Sequence, residues 1–203
     1  LQLYVSYILA KEEGKVKINY EPYNFHTRRG VLNYSGLYNH LNDVQLAGSS
    51  NDISNYHRKF IKDLYVGRNK HSIITKFVKG LGRVGAINEI SNPDLNIVII
   101  RDLYDVLASI ARMRWDFVNV GDFMFRRVNR NIWNSLLKEI KEKKLFDIER
   151  IYKHDIVRQN AIYWFVLNKY ALLQKLPNSI FVDYKDIGEI NNVLQSYFPF
   201  TLD

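Results

Sequence analysis

The thirteen residues from Ile97 to Ser109 (IVIIRDLYDVLAS) hold the arrangement best equipped for chemistry. An apolar, β-branched run ends at Arg101, and a helical pattern begins two residues later with Ser109 eight positions after the Arg. Ligands of open α/β sheets sit at the carboxyl ends of strands. A helix N-terminus offers free N–H groups and the positive end of its dipole there, and a guanidinium adds a two-pronged donor matched to phosphate. The chemistry implied is capture of an anion. The same residues fit a plainer reading, in which Arg101 pairs with Asp102 or Asp105 and Ser109 is a small residue on a helix packing face; spacing alone leaves both open. A second phosphate-like signal is Gly80-Leu81-Gly82-Arg83-Val84-Gly85, the GxGxxG of dinucleotide sites, with Asp102 about 20 residues further on. The helix it should open has room only for Ala86 to Ile90 before Ser91-Asn92-Pro93, and Lys79 stands against the first glycine. That context suits a loop needing glycines for its own packing, with a dinucleotide site as the alternative.

Strands and helices must position these groups, and their periodicities are readable. Leu1, Leu3, Tyr4, Tyr7 and Ile8 recur at helical spacing up to a stop at Gly14, and Lys15 to Tyr20 alternates as a short strand. Residues 22–54, rich in Asn, Gly, Ser and Tyr, read as a long surface connection suited to substrate contacts. Asn55 to Val66 reads as a helix with Phe60, Ile61, Leu64 and Tyr65 inward and a basic outer face. Ser72 to Val78 and Asn96 to Ile100 read as central parallel strands, the second buried on both faces. Helices are expected over Leu103 to Met113, Val128 to Lys143 and Asp155 to Gln174, and a strand over Ser179 to Asp183 after the Pro177-Asn178 break. Strands alternating with helices predict an α/β fold, a parallel central sheet flanked by helices that unites 72–78, 96–100 and 179–183.

Composition bounds the rest. The 203 residues are 47% hydrophobic and 14% aromatic, enough for a core, and predict one domain. With no Cys, disulfides, thiolate zinc sites and Cys nucleophiles are excluded. The longest apolar run, Ala161 to Leu167, is far short of the roughly 18 residues that span a bilayer. Lys and Arg number 29 against 21 Asp and Glu, a net charge of +8. Almost all of that surplus falls between Arg58 and Arg83, where Arg58, Lys59, Lys62, Arg68, Lys70, Lys76, Lys79 and Arg83 face Asp63 alone. Such a tract suits an anionic partner or a solvated face. Lys138 to Lys144 alternates signs as an exposed helix does.

The segment Arg101-Asp102-Leu103-Tyr104-Asp105-Val106-Leu107-Ala108-Ser109 resembles the sulfotransferase superfamily's site for the cofactor's ribose phosphate, in which a strand ends in Arg-Asp-Pro-x-Asp and a Ser follows eight residues after the Arg. The family's Pro is Leu103 here. By this resemblance Arg101 and Ser109 bind the phosphate of phosphoadenosine phosphosulfate. Ile73 to Val78 looks like the family strand whose Lys, here Lys76, stands near the transferred sulfuryl group. Val182 to Ile187 (VDYKDI) resembles the family strand end that follows a Trp-bearing helix, here with Trp164, and puts Tyr184 near the adenine. Tyr20-Glu21-Pro22 resembles the segment supplying a general base in several members. The resemblance spans roughly residues 1–190 and implies a P-loop-like fold. The family's phosphosulfate loop and first strand would fall immediately before Leu1, so by this resemblance the chain reads as an N-terminally incomplete domain.

Sulfuryl transfer to a hydroxyl needs cations against the charge that develops on the bridging oxygen and one base for the acceptor's proton. The resemblance gives these roles to Lys76 and Glu21. Some members place a His two residues after the Lys, where this chain has Val78; His26, His57 and His71 are the other candidates, each expected at the surface or in a cap, and His154 is expected at a helix start. No His, Asp or Glu spacing recommends a metal. The expected acceptor is a hydroxyl-bearing molecule of carbohydrate class, compatible with an anionic glycan. A non-catalytic nucleic-acid module, prompted by the charge and the 14 Tyr, lacks any RNP-like, zinc-finger or helix-turn-helix signature.

Overall fold

The computed structural model describes residues 16–20, 22–23, 44–68, 72–77, 80–112, 123–145 and 156–197. The chain divides into two compact units, Leu1–Asn92 and Pro93–Asp203. It is a mixed α/β protein with small parallel sheets, each ladder lying within one unit.

In the first unit β1 (Val16–Tyr20) runs parallel to β2 (Ser72–Lys76), with Val16 opposite Ser72 and Tyr20 opposite Lys76. Between them in sequence lies α1 (Asn55–Leu64). Its cap is Ser54, whose hydroxyl accepts from the His57 amide at 3.2 Å. His57, Phe60, Ile61 and Leu64 recur at helical spacing and form its buried face. At its far end the Leu64 carbonyl, left over by the helix, accepts from Lys17 Nζ at 3.0 Å and from Asn19 Nδ2 at 2.9 Å. Asn19, itself buried, also reaches Thr75 Oγ1 at 3.1 Å, so β1 ties the end of α1 to β2. A 3₁₀ turn at Leu81–Arg83 leads into α2 (Val84–Ser91), which ends on Asn92 in the left-handed conformation (φ 43°) just before Pro93. The core of this unit joins Tyr23, Ala47, Ile53, Phe60, Ile61, Leu64, Ala86 and Ile87.

In the second unit β3 (Asn96–Ile100) pairs in parallel with β4 (Ser179–Asp183), Asn96 opposite Ser179 and Ile100 opposite Asp183. The helices are α3 (Leu103–Arg112), α4 (Phe123–Glu142), α5 (Ile156–Leu173) and, after a 3₁₀ stretch at Tyr184–Glu189, α6 (Ile190–Tyr197). α3 packs on α5. Val98, Trp133, Leu136, Ile140, Val166, Leu167, Tyr170, Ala171 and Ile190 are its buried apolar residues. α4 closes with two bonds, Lys144 N to Lys141 O at 3.2 Å and Leu145 N to Ile140 O at 3.1 Å, which wrap the chain through Lys144 at φ 50°.

Three expectations are corrected. The strands at 72–76, 96–100 and 179–183 do not share one sheet: among the described residues β2 pairs with β1 and β3 with β4. Apolar runs disclose that a strand exists, whereas its neighbour is fixed by tertiary pairing. For the same reason β3 is not sealed on both faces; Val98 alone is fully buried and its four companions are half-buried. The stretch 22–54 is not all surface connection, since Tyr23, Leu46, Ala47 and Ile53 are core. The Ala47 backbone explains this, donating to Gly82 O at 2.8 Å and accepting from Ala86 N at 3.2 Å, which stitches the segment to the start of α2. The expected helix up to Gly14 and the region 24–43 lie outside the described residues.

Candidate anion-binding site

The β3–β4 ladder stops at the pair Ile100 and Asp183, so Arg101 and Tyr184 leave the two strands side by side at the carboxyl edge. Asp102 then caps α3, its Oδ1 accepting from the amides of Tyr104 at 2.8 Å and Asp105 at 3.2 Å. This occupies the carboxylate with helix amides, at the point where the plainer sequence reading paired it with Arg101. The Arg101 guanidinium lies over the Tyr184 ring, Cζ 5.4 Å from the centroid, in cation–π range. Its Nε is buried and has no hydrogen-bond partner among the described residues. A buried guanidinium nitrogen without an acceptor carries a desolvation cost that a bound anion would remove. The Arg101 carbonyl accepts from the indole Nε1 of Trp164 on α5 at 3.0 Å.

Tyr184 is 49% exposed, with the Arg101 guanidinium over its ring. Next to it, Asp183 Oδ1 accepts from the Lys185 amide at 3.1 Å and Oδ2 pairs with Lys185 Nζ at 3.3 Å. The amide bond first, then the ammonium, holds the Asp183 carboxyl below its ordinary value, and Asp183 in turn raises Lys185. Tyr104, in the first turn of α3, is 79% exposed. Ser109 sits about two turns into α3, half-buried, and no hydrogen bond links it to Arg101. Of the three cofactor residues expected from the sequence, Arg101 and Tyr184 are brought into contact.

The two expected catalytic residues belong to the first unit. Lys76 ends β2, half-buried, opposite Tyr20. Glu21 follows Tyr20 in sequence and lies outside the described residues, as do His26, His71 and His154. His57 is neither a surface nor a capping side chain. It is 1% exposed, its Nε2 lies 2.7 Å from the Tyr23 hydroxyl, and the Tyr23 ring packs on Phe60 and Phe77. Burial pushes the Tyr23 phenol well up, against the opposing pull of Arg83, whose Cζ lies 5.8 Å from the ring centroid. His57 falls on the helical period of α1, whereas no period marks Tyr23, which stands alone in an aperiodic stretch.

The glycine loop is filled by the chain's own packing. Gly82 O and the Ala86 amide, in the first turn of α2, are both engaged by Ala47. A side chain on Gly80 would meet Phe77 Cβ at 2.7 Å, which accounts for glycine there without any ligand. Arg83 turns inward, donating from Nε to Val44 O at 2.7 Å. The basic tract is therefore not one outward face. Arg68 is tied to Ser91 O at 3.1 Å and Lys59 pairs with Asp63 at 2.9 Å, while Arg58, Lys59 and Lys62 line an open depression along α1 with Asn55 and Asp63.

Among the described residues no group of three or more His, Asp or Glu could hold a metal, and no helix is long and apolar enough to cross a membrane. Comparisons with protein-family models, curated proteins and solved structures find no match.

Proposed function

We propose that the chain is a sulfotransferase-type domain that moves a sulfuryl group from phosphoadenosine phosphosulfate to a hydroxyl of a carbohydrate-class acceptor. The observation that supports it is the Arg101 guanidinium lying over Tyr184 at 5.4 Å with its Nε buried and unpartnered among the described residues, at the carboxyl edge of a parallel ladder. In this reading Arg101 receives the ribose phosphate, Ser109 adds a hydroxyl donor from α3, and the adenine lies toward Tyr184. The acceptor oxygen attacks sulfur in line. The bond from sulfur to the bridging oxygen breaks, leaving adenosine bisphosphate, and the acceptor proton passes to Glu21 as Lys76 offsets charge on the bridging oxygen. A dinucleotide site at Gly80-Gly82-Gly85 gains no support, because Ala47 occupies the amide such a ligand would need.

Calorimetry with adenosine 3′,5′-bisphosphate tests the reading. Arg101→Ala is expected to lose about 2–5 kcal/mol of binding, the cost of removing one member of a buried charge-assisted pair. Equal affinity in wild type and variant rejects the assignment.

A further inference from the structure

We propose that Trp164 is a positioning residue for the Arg101 anion site, fixing through its indole N–H the backbone from which the guanidinium projects. The inference rests on the proposed site but adds to it a residue on a different helix that touches no ligand.

Backbone accounting at the β3–α3 junction is the starting point. The ladder with β4 ends at Ile100, and the first helical bond of α3 runs from Val106 N to Asp102 O at 3.1 Å. The Arg101 carbonyl falls between, used by neither strand nor helix. A backbone acceptor left in that position needs a partner from elsewhere. Trp164 Nε1 supplies it at 3.0 Å from the middle of α5, the helix on which α3 packs. The neighbouring Asp102 side chain holds the next two free amides of α3, so the residue carrying the guanidinium is pinned on its own carbonyl and just beyond it.

Among the described residues the Arg101 side chain has one polar or ring contact, with Tyr184. Its Nε makes no hydrogen bond, and its described contact is the broad, weakly directional one with the Tyr184 face. Backbone position therefore sets where the guanidinium lies. Phosphate recognition by a planar fork depends on orientation, and displacements of about 1 Å at such sites cost up to two orders of magnitude. An indole is suited to this task, since it has a single donor and no acceptor to compete for other partners. It is also rigid, so α5 and β3 are joined by a short strut.

The chain has three Trp, and the indole N–H resonance of Trp164 is identified by its loss in Trp164→Phe. That substitution keeps an aromatic ring in the packing and removes the donor. Adenosine 3′,5′-bisphosphate is expected to shift the Trp164 indole resonance in wild type and not in Arg101→Ala. Trp164→Phe is expected to bind the bisphosphate about tenfold more weakly, while the unliganded protein stays folded with its thermal midpoint lower by a few degrees. Unchanged affinity in Trp164→Phe overturns the positioning role and leaves the cofactor reading standing. If wild type ignores the bisphosphate but inorganic phosphate shifts the indole in an Arg101-dependent way, the cofactor reading falls and the positioning role stands. No response of the indole to either anion overturns both. Where Trp164→Phe melts well below wild type, the wild-type and Arg101→Ala titrations still decide between these outcomes.

Discussion

The Tyr23 hydroxyl and His57 Nε2 share a hydrogen bond of 2.7 Å inside the core of the first unit, both almost wholly removed from solvent. Such a pair is worth most when both partners are present, since deleting one strands the other without water to replace it. Tyr23→Phe preserves the ring contacts with Phe60 and Phe77, so its effect isolates the hydroxyl. Chemical denaturation is expected to show about 1–3 kcal/mol of destabilisation, and a value near zero would mean that His57 is satisfied without Tyr23. At this scale the sequence was legible in one direction. Arg101 stands out because a β-branched run ends on it, whereas Tyr184 is singled out only by the resemblance of Val182 to Ile187 to a family strand end. Nothing of the kind marks Tyr23 or Ala47, and Ala47 is held by long-range closure of its segment onto the start of α2, a contact that no local period encodes.

At the scale of elements, strands and helices follow their residue patterns closely. Asn96–Ile100 and Ser179–Asp183 match their apolar runs, and α1 carries its buried residues at the expected spacing. Partnerships between elements were not legible, because a parallel strand's neighbour depends on what lies beyond its crossover. One such partnership depends on protonation. Glu89 on α2 clasps the 3₁₀ turn at Ser50–Asp52, its two carboxylate oxygens each accepting at 2.7 Å, one from the Ser50 amide and one from the Ser50 hydroxyl. The amide bond, then the hydroxyl, holds the Glu89 carboxyl below its ordinary value near 4.5, with a smaller contribution from Arg58. A depressed folded value stabilises the fold above the ordinary value and ceases to do so as pH falls through the depressed one. The carboxylate is exposed, so solvent screening limits the effect to about 0.5 kcal/mol. Urea titrations of wild type and Glu89→Gln are expected to differ by that amount at pH 7 and to converge in strong acid. A difference that persists at low pH would assign the clasp to shape and not to charge.

At the scale of the whole chain, two units each hold a short parallel ladder, and Arg101, Tyr184 and Trp164 all lie within Pro93–Asp203. Alternating strand and helix patterns foretold the mixed architecture; the division between the ladders carries no compositional mark except the Asn92-Pro93 stop. The stability of that chain is also open to improvement at one turn. The wrap that closes α4 demands a left-handed residue, and the chain supplies Lys144 at φ 50°, a conformation in which a Cβ costs roughly 1–2 kcal/mol that glycine escapes. Glycine's extra freedom in the unfolded chain takes back part of this gain. Lys141 and Lys143 remain to complement the helix's negative end. Lys144→Gly should therefore raise stability by about 0.5–1 kcal/mol, a melting temperature higher by roughly 1–4 °C in a chain of this size, and scanning calorimetry would register it. The native lysine at this turn marks a protein kept stable enough for its work, with thermostability still available to an engineer at a position outside both ladders.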